Sequence, residues 1–297
     1  MTLPVIERRP WDGFAIVGAA YAVALLAASA TTRALADLHP LATVAAADAV
    51  ATLVVFVFSR AFDNTSVYDP YWSLAPAFIG GWLAFVPGQP RTFDPRQLMV
   101  LTLCIVYAAR LTFNWARGWA GLEHEDWRYA DLRAPTGKLY WVVSLVGLHL
   151  MPTVMTFLGC LPLYDALVTG GGPLGALDVV AAAVTFGAIA VETVADEQLR
   201  QFRRDAKGEG EICQVGLWRY SRHPNYFGEI SFWLGLFLFG VAAGGPLWHG
   251  VGVVAMVVLF VTASIPLAER RSLKRRPHYA ELQRRVSMLI PWFPKKA

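Results

Sequence analysis

Long apolar runs alternate along this chain with short segments in which the charged residues gather. Eight of these runs approach the roughly 20 residues that an α-helix needs to cross a hydrocarbon core of about 30 Å. They are centred on Gly13 to Thr32, Leu41 to Phe62, Tyr71 to Val86, Leu98 to Arg117, Leu139 to Leu161, Leu174 to Val194, Tyr226 to Ala242 and Leu247 to Leu267. The third and seventh are short, and Gly80-Gly81 interrupts the third, so the count is seven or eight. The pattern predicts an all-α polytopic transmembrane helical bundle, read as one transmembrane domain over residues 1–297. The first run follows Arg8 and Arg9, but it is long for a signal-peptide core and lacks a clear cleavage site, so it is expected to remain as a membrane helix.

Composition sharpens this reading. The 297 residues are 56% hydrophobic and 16% charged, against about 25% charged in an average soluble domain. Lys and Arg accumulate on the cytoplasmic side of inserted helices, and with both termini inside they do so here. The expected cytoplasmic segments hold Arg8 and Arg9, the loops Arg117 to Lys138 and Arg200 to Arg222, and the run Arg270 to Lys296. The opposite loops, Pro162 to Pro173 and Ala243 to Pro246, carry none, and only Arg91 and Arg96 go against the rule. Expected partners are membrane lipids and an apolar lipid-like substrate, with no nucleic acid, and the expected location is a bacterial inner membrane. The net charge of +4, gathered on one face, suits anionic head groups or anionic ligands, although topology control alone accounts for any single cation. Cys104, Cys160 and Cys213 form no pairwise motif, and neither His223 nor His278 has a second histidine at ligand spacing, so no metal is expected.

Four polar sets stand out. In Gly216 to Glu229, Pro224 suits the first turn of a helix and pushes His223 towards extended geometry. The resulting helix start, with Tyr220, Arg222 and His223 beside it, is a candidate phosphate seat. Asn225 and Glu229 share one face of that helix. Glu192, Asp196, Arg200 and Arg203 step by three and four down another helix, either as a ligand grip or as a self-paired ion ladder. Tyr107, Arg110, Asn114 and Arg117 line one face of a third helix, followed by Arg128 and Tyr129, although arginines so near the membrane also snorkel. Asp69, before Pro70, is either a helix cap or a fourth convergent acid.

The segments Gly216 to Glu229, Glu192 to Arg203 and Tyr279 to Pro294 together resemble the steroid 5-alpha-reductase superfamily, and more narrowly the DUF1295-like bacterial branch of membrane proteins grouped with it. The resemblance covers roughly residues 60 to 294, leaving residues 1–62 as N-terminal helices partly outside a reductase-like core at 63–294. It implies reduction of the carbon-carbon double bond of an apolar enone by hydride transfer from NADPH. Tyr107 and Asp69 fall at its catalytic positions. Arg110, Asn114, Arg117, Arg128, Tyr129, Glu192, Asp196, Arg200, Arg203, Tyr220, Arg222, His223, Asn225 and Glu229 would contact the cofactor. The aspartate at 69 is one methylene shorter than the family's glutamate, Glu192 replaces an asparagine, and Glu269-Arg270-Arg271 replaces a histidine-rich stretch. The Arg-His-Pro-x-Tyr-x-Gly pattern is also similar to isoprenylcysteine and phospholipid methyltransferases, which implies S-adenosylmethionine as the alternative cofactor. A non-enzymatic lipid-binding or transport bundle is the third reading.

Overall fold

The computed structural model describes residues 10–86, 93–170, 172–206, 208, 210–276 and 278–296; Arg8, Arg9 and Arg91 lie outside them. Among the described residues the secondary structure is helical, with one isolated bridge pairing Ser221 and Ser287. Among the described residues seven helices are long and apolar enough to cross a membrane, so the chain is an integral membrane protein. In order, the helices are α1 (Pro10–Ala34), α2 (Pro40–Ala61), α3 (Tyr71–Ala84), α4 (Pro95–Ala116), α5 (Trp127–Thr169), α6 (Ala176–Asp205), α7 (Pro224–Ala242), α8 (Leu247–Arg275) and α9 (Tyr279–Arg285). The third expected span, already short in sequence, is α3, whose 14 residues rise only about 21 Å at roughly 1.5 Å each, so the count is seven. It runs unbroken through Gly80-Gly81. The chain divides into two compact units, Met1–Thr92 with Cys104–Tyr164, and Phe93–Leu103 with Asp165–Ala297.

The first unit is stitched by polar groups inside apolar helices, which hydrocarbon cannot solvate. The Thr153 hydroxyl on α5 meets Thr52 of α2 and the Tyr68 phenol, each at 2.7 Å. His149 sits in a π-helical stretch, Ser144–Leu150, where its ring reaches Ser144 O at 2.9 Å and Ser59 Oγ at 3.1 Å. The widened turn aims the imidazole at α2, a known use of π-bulges. Below these contacts, the 3₁₀ turn Thr65–Tyr68 is welded to the loop before α5. Asn64 caps the turn and donates to Leu122 O and His124 O, while Thr65 N–H donates to Glu125 and Asp126 N–H to Ser66 Oγ.

In the second unit α6 and α7 lie unusually close because small residues face the seam. A Cβ on Gly228 would meet Glu192 Cβ at 2.8 Å and Ala188 O at 2.9 Å, and one on Gly235 would collide with Thr185. Arg96, which goes against the loop-charge rule, is buried and forked onto Asp178 at 2.6 and 2.9 Å. A cation neutralised by a carboxylate in its own fold weighs little on topology. Asp178 also accepts from Gly175 N–H and caps α6.

Because Arg96 and Asp178 are both buried, removing one partner strands a charge, at a cost of about 3–5 kcal/mol. Asp178→Ala should therefore markedly lower the unfolding temperature in a fixed detergent. The joint replacement Arg96→Met with Asp178→Leu should recover most of the loss. Equal melting of Asp178→Ala and the parent chain would remove this pair from the account of stability.

Candidate functional site

Two polar sites emerge, one in each unit. In the first, the fused loops bring the Tyr129 hydroxyl onto Asp69 Oδ1 at 2.5 Å. Tyr129 is placed by α5, which begins where the Asp126 side chain accepts from Arg128 N–H. Burial pushes the Asp69 carboxyl from its ordinary 3.8 up to about 6, opposed by the Arg128 charge and the Tyr129 hydrogen bond. The cap-only reading of Asp69 gives way: Pro70 occupies the N-cap of α3, which has no side-chain cap. Arg128 Nε holds Asp126 at 2.7 Å and its guanidinium lies 5.5 Å from the centre of the Tyr129 ring. Tyr107 is fully buried on α4. On the same helix Arg117 grips Asn114 Oδ1 at 2.8 and 3.1 Å, so these two residues engage each other, and Arg110 is partly buried.

In the second unit, the loop before α7 and the C-terminal segment enclose a hollow of about 220 Å³. Arg203, Arg222, His223 and Asn225 line it together with Trp218, Tyr226, Arg276 and Tyr279. Its wall is fixed by Glu269 on α8. One carboxylate oxygen receives Arg222 Nε at 2.7 Å and lies 3.1 Å from His223 Nε2, while the other receives Gln283 Nε2 at 2.6 Å. Arg222 Nη1 donates to Gln283 O and Val286 O. Ser221 Oγ donates to Leu289 O, and Trp292 N–H to Tyr220 O. The chain before α7 and the C-terminus are therefore locked together, and Arg222 is more staple than phosphate ligand. Gly216, at φ +54°, packs against Gln198, whose amide oxygen accepts Leu217 N–H at 2.9 Å. Trp218 is placed by donating to Ala195 O.

Asn225 supplies the atom that asks for a ligand. Its Nδ2 donates to Asp196 Oδ1 at 3.3 Å, while its buried Oδ1 has no hydrogen-bond partner. A buried acceptor left unsatisfied is costly, and a ligand hydroxyl or amide would satisfy it. Arg203 is exposed at the rim and Arg276 partly buried in the wall. Two guanidinium groups, an open acceptor and two aromatic rings fit a phosphorylated nucleotide. The hollow is smaller than the about 300–1,000 Å³ of drug-sized sites, so it is sized for one part of a larger ligand. Tyr279, pushed up to about 12 by burial, stays a neutral phenol, and burial raises the Cys213 thiol.

The remaining sequence candidates of this unit have other settings. Glu229 accepts Trp233 Nε1–H at 2.8 Å within α7. Glu192 is buried, with its Cβ directed at Gly228. Arg200 is partly exposed on α6, and Tyr220 packs edge-on against Phe293. The sequence reading missed Trp218, Arg276 and the anchoring role of Glu269. A glutamate with an apolar residue on its N-terminal side and two arginines after it resembles an ordinary helix end, and only the fold brings Arg222 to it.

Comparison with known proteins adds the following. The family profile described as "Protein of unknown function (DUF1295)" matches residues 55–286. An uncharacterized protein of the fission yeast Schizosaccharomyces pombe is 28% identical over 252 residues, covering 77% of this chain and 73% of the relative. No solved structure matches. The profile takes in both polar sites and begins after α1 and most of α2.

The Asp69 environment sets a sign. Between the ordinary 3.8 and about 6 the folded chain holds a proton that the unfolded chain has released, so this group's contribution to stability falls as pH rises through that window. Difference infrared titration should show a protonated-carboxyl band that disappears with a midpoint near 6 and is missing from Asp69→Asn. An Asp69 band already gone by pH 5 would remove the burial argument.

Proposed function

The chain belongs to the DUF1295 family, and we propose that it is an integral membrane reductase of the steroid 5-alpha-reductase type, using NADPH to reduce the carbon-carbon double bond of an apolar enone. The observation carrying this reading is that Arg203, Arg222, His223 and Asn225, singled out from sequence as cofactor contacts, line one hollow with Arg276 and Trp218. When bound, NADPH supplies the hydride. The chain's own residues do the rest. Arg203 and Arg276 hold phosphate oxygens through charge-assisted hydrogen bonds. Asn225 Oδ1 accepts from a ribose hydroxyl or amide. Glu269, by fixing Arg222 and His223, keeps the wall rigid, which is how a supporting shell preserves a site's geometry.

In the first unit the Asp69–Tyr129 pair holds a proton at the phenol and carboxyl oxygens. A hydrogen-bonded acid and phenol, partly removed from water, is suited to donate to an enolate oxygen or carbon as charge develops. Tyr107, the phenol the resemblance points to, lies in the same unit, and the two tyrosines are separable by substitution. The S-adenosylmethionine reading loses ground at Glu269, the one counterpart here of two glutamates near the C-terminus of the methyltransferases that the chain resembles. Its two oxygens already receive Arg222, His223 and Gln283.

Titration of the detergent-purified chain should show NADPH raising the unfolding temperature, since a ligand at 100 times its Kd adds about 2.7 kcal/mol. S-adenosylmethionine should leave it unchanged. Arg203→Gln and Arg276→Gln should shrink the NADPH shift. Stabilisation by S-adenosylmethionine alone would overturn the reductase reading. Tyr129→Phe should abolish enone turnover and keep the NADPH shift. If Tyr129→Phe turns over normally and Tyr107→Phe does not, the proton role moves to Tyr107.

A further inference from the structure

A third feature belongs to neither polar site. Helices α1, α2 and α3 enclose a cavity of about 420 Å³ whose walls are almost wholly apolar, formed by residues such as Leu25, Ala28, Leu74, Phe78, Ile79 and Trp82. One acid lines it. Asp48, midway along α2, is 8% exposed. Its Oδ1 receives the Tyr71 hydroxyl at 2.7 Å, and its buried Oδ2 has no hydrogen-bond partner. The rings of Tyr21 and Tyr71 both line the cavity and meet edge to face at 6.2 Å. Tyr21 is held by donating to Val67 O at 3.0 Å. None of the lining residues is basic.

A carboxylate at this depth is expensive unless something answers it. As an acceptor-only group with one oxygen already served by Tyr71, it requires a donor at Oδ2. A cation answers both demands, and two tyrosine rings beside it add cation–π attraction. Beyond Asp48 the cavity is a channel for a chain. From Tyr71 to Trp82 the α3 face rises about 16 Å at roughly 1.5 Å per residue. Leu25 and Phe78, which line it, are 48% and 53% exposed, so the cavity has an apolar flank open to the surroundings of the helices. We propose that this cavity binds a long-chain primary amine, with its ammonium on Asp48 between Tyr21 and Tyr71 and its tail along α3 towards Trp82. Asp48, Tyr21 and all of α1 precede the segment matched by the family profile, whereas Tyr71 and the α3 wall lie within it; the proposal uses no residue of the reductase reading, and neither depends on the other.

The test uses the full chain in nanodiscs of zwitterionic lipid, labelled with tetradecylamine carrying a photoreactive diazirine at its tail, and peptide mapping of the adducts. Saturable labelling of α1 and α3 near Leu25, Phe78 and Trp82 is expected. Unlabelled tetradecylamine should displace the probe, and tetradecanol should do so at least about tenfold less well. Asp48→Asn, which still accepts from Tyr71, should weaken amine displacement by a similar factor. Ala28→Trp, which fills the tail channel, should abolish labelling. Equal displacement by the alcohol, undiminished binding in Asp48→Asn, or no saturable labelling of α1 and α3 would each overturn the proposal. The amine-against-alcohol comparison on the unaltered chain decides the head group even if a variant fails to fold. NADPH-induced stabilisation is measured on the same preparation, so the two readings fail separately.

Discussion

A polar group carried into hydrocarbon must find its partner inside the protein, and that demand determines how separated segments of this chain are tied within each unit. Glu269 gathers Arg222, His223 and Gln283, and through them binds the start of α7 to the C-terminal residues. Asp178 takes Arg96 and closes one end of the second unit. At the far end of α7, Asp165 and His249 meet at 2.5 Å, beneath Gly245, which has no room for a side chain. In the first unit Thr153 does with hydroxyl groups what the second does with ions, holding Thr52 and Tyr68 at once. Apolar packing alone associates helices weakly in lipid, where tails are as apolar as leucine, so these ties carry the specificity of the fold.

Among the described residues, the structural ties and the acceptors left for a ligand divide along chemical lines. Arg222, Arg133 and Arg96 are spent on carboxylates of the fold: Arg133 holds Glu125 at 2.7 Å and Asp63 at 2.9 Å. What is left has a pattern. Asn225, with Oδ1 unserved, lines a hollow that has arginines at its margin, and Asp48, with Oδ2 unserved, lines an apolar cavity. The two acceptors ask for different ligands because their surroundings differ. Beside Arg203 and Arg276 a phosphate is welcome and an ammonium is repelled. Beside Asp48 the preference reverses.

The apolar runs were legible because the bilayer imposes a length, and seven of the eight reappear as helices able to span it. The third failed on length alone. Helix α5 begins at Trp127, twelve residues before the expected Leu139, because Asp126 caps it; that cap is readable in the Asp-Trp-Arg sequence but is masked by polarity. Arg222, His223 and Asn225 go together in the sequence because they surround one helix start, whereas Arg203 ends another helix and joins them only through the family resemblance. The partners of Arg96, Asp69 and Glu269 lie 82, 60 and 47 residues away, and no local pattern encodes such pairings. Asp48 differs. A lone acid inside the run Leu41 to Phe62 is legible as such, and intramembrane acids are functional by default, but the run names neither the Tyr71 that serves it nor the cavity it lines.

Asp48 and Asp69 are nonetheless joined by contacts within one unit. Tyr71, which serves Asp48, stacks on Tyr68 with ring centres 5.0 Å apart, and Tyr68 stands beside Asp69 in the chain with its hydroxyl fixed on Thr153. A molecule on Asp48 that pulls Tyr71 towards Oδ2 must shift or strain that stack. Proximity by itself transmits nothing. A ligand biases Asp69 only to the extent that it binds one arrangement of Tyr71 more tightly than another. The hydrogen bond from Tyr71 to Asp48, reinforced by a second at 3.1 Å to the Asp48 carbonyl, gives that tyrosine one strongly preferred arrangement. An amine that joins the pair and leaves Tyr71 in place would occupy the channel without disturbing the Tyr68–Tyr71 stack, whereas one that displaces the phenol would break it.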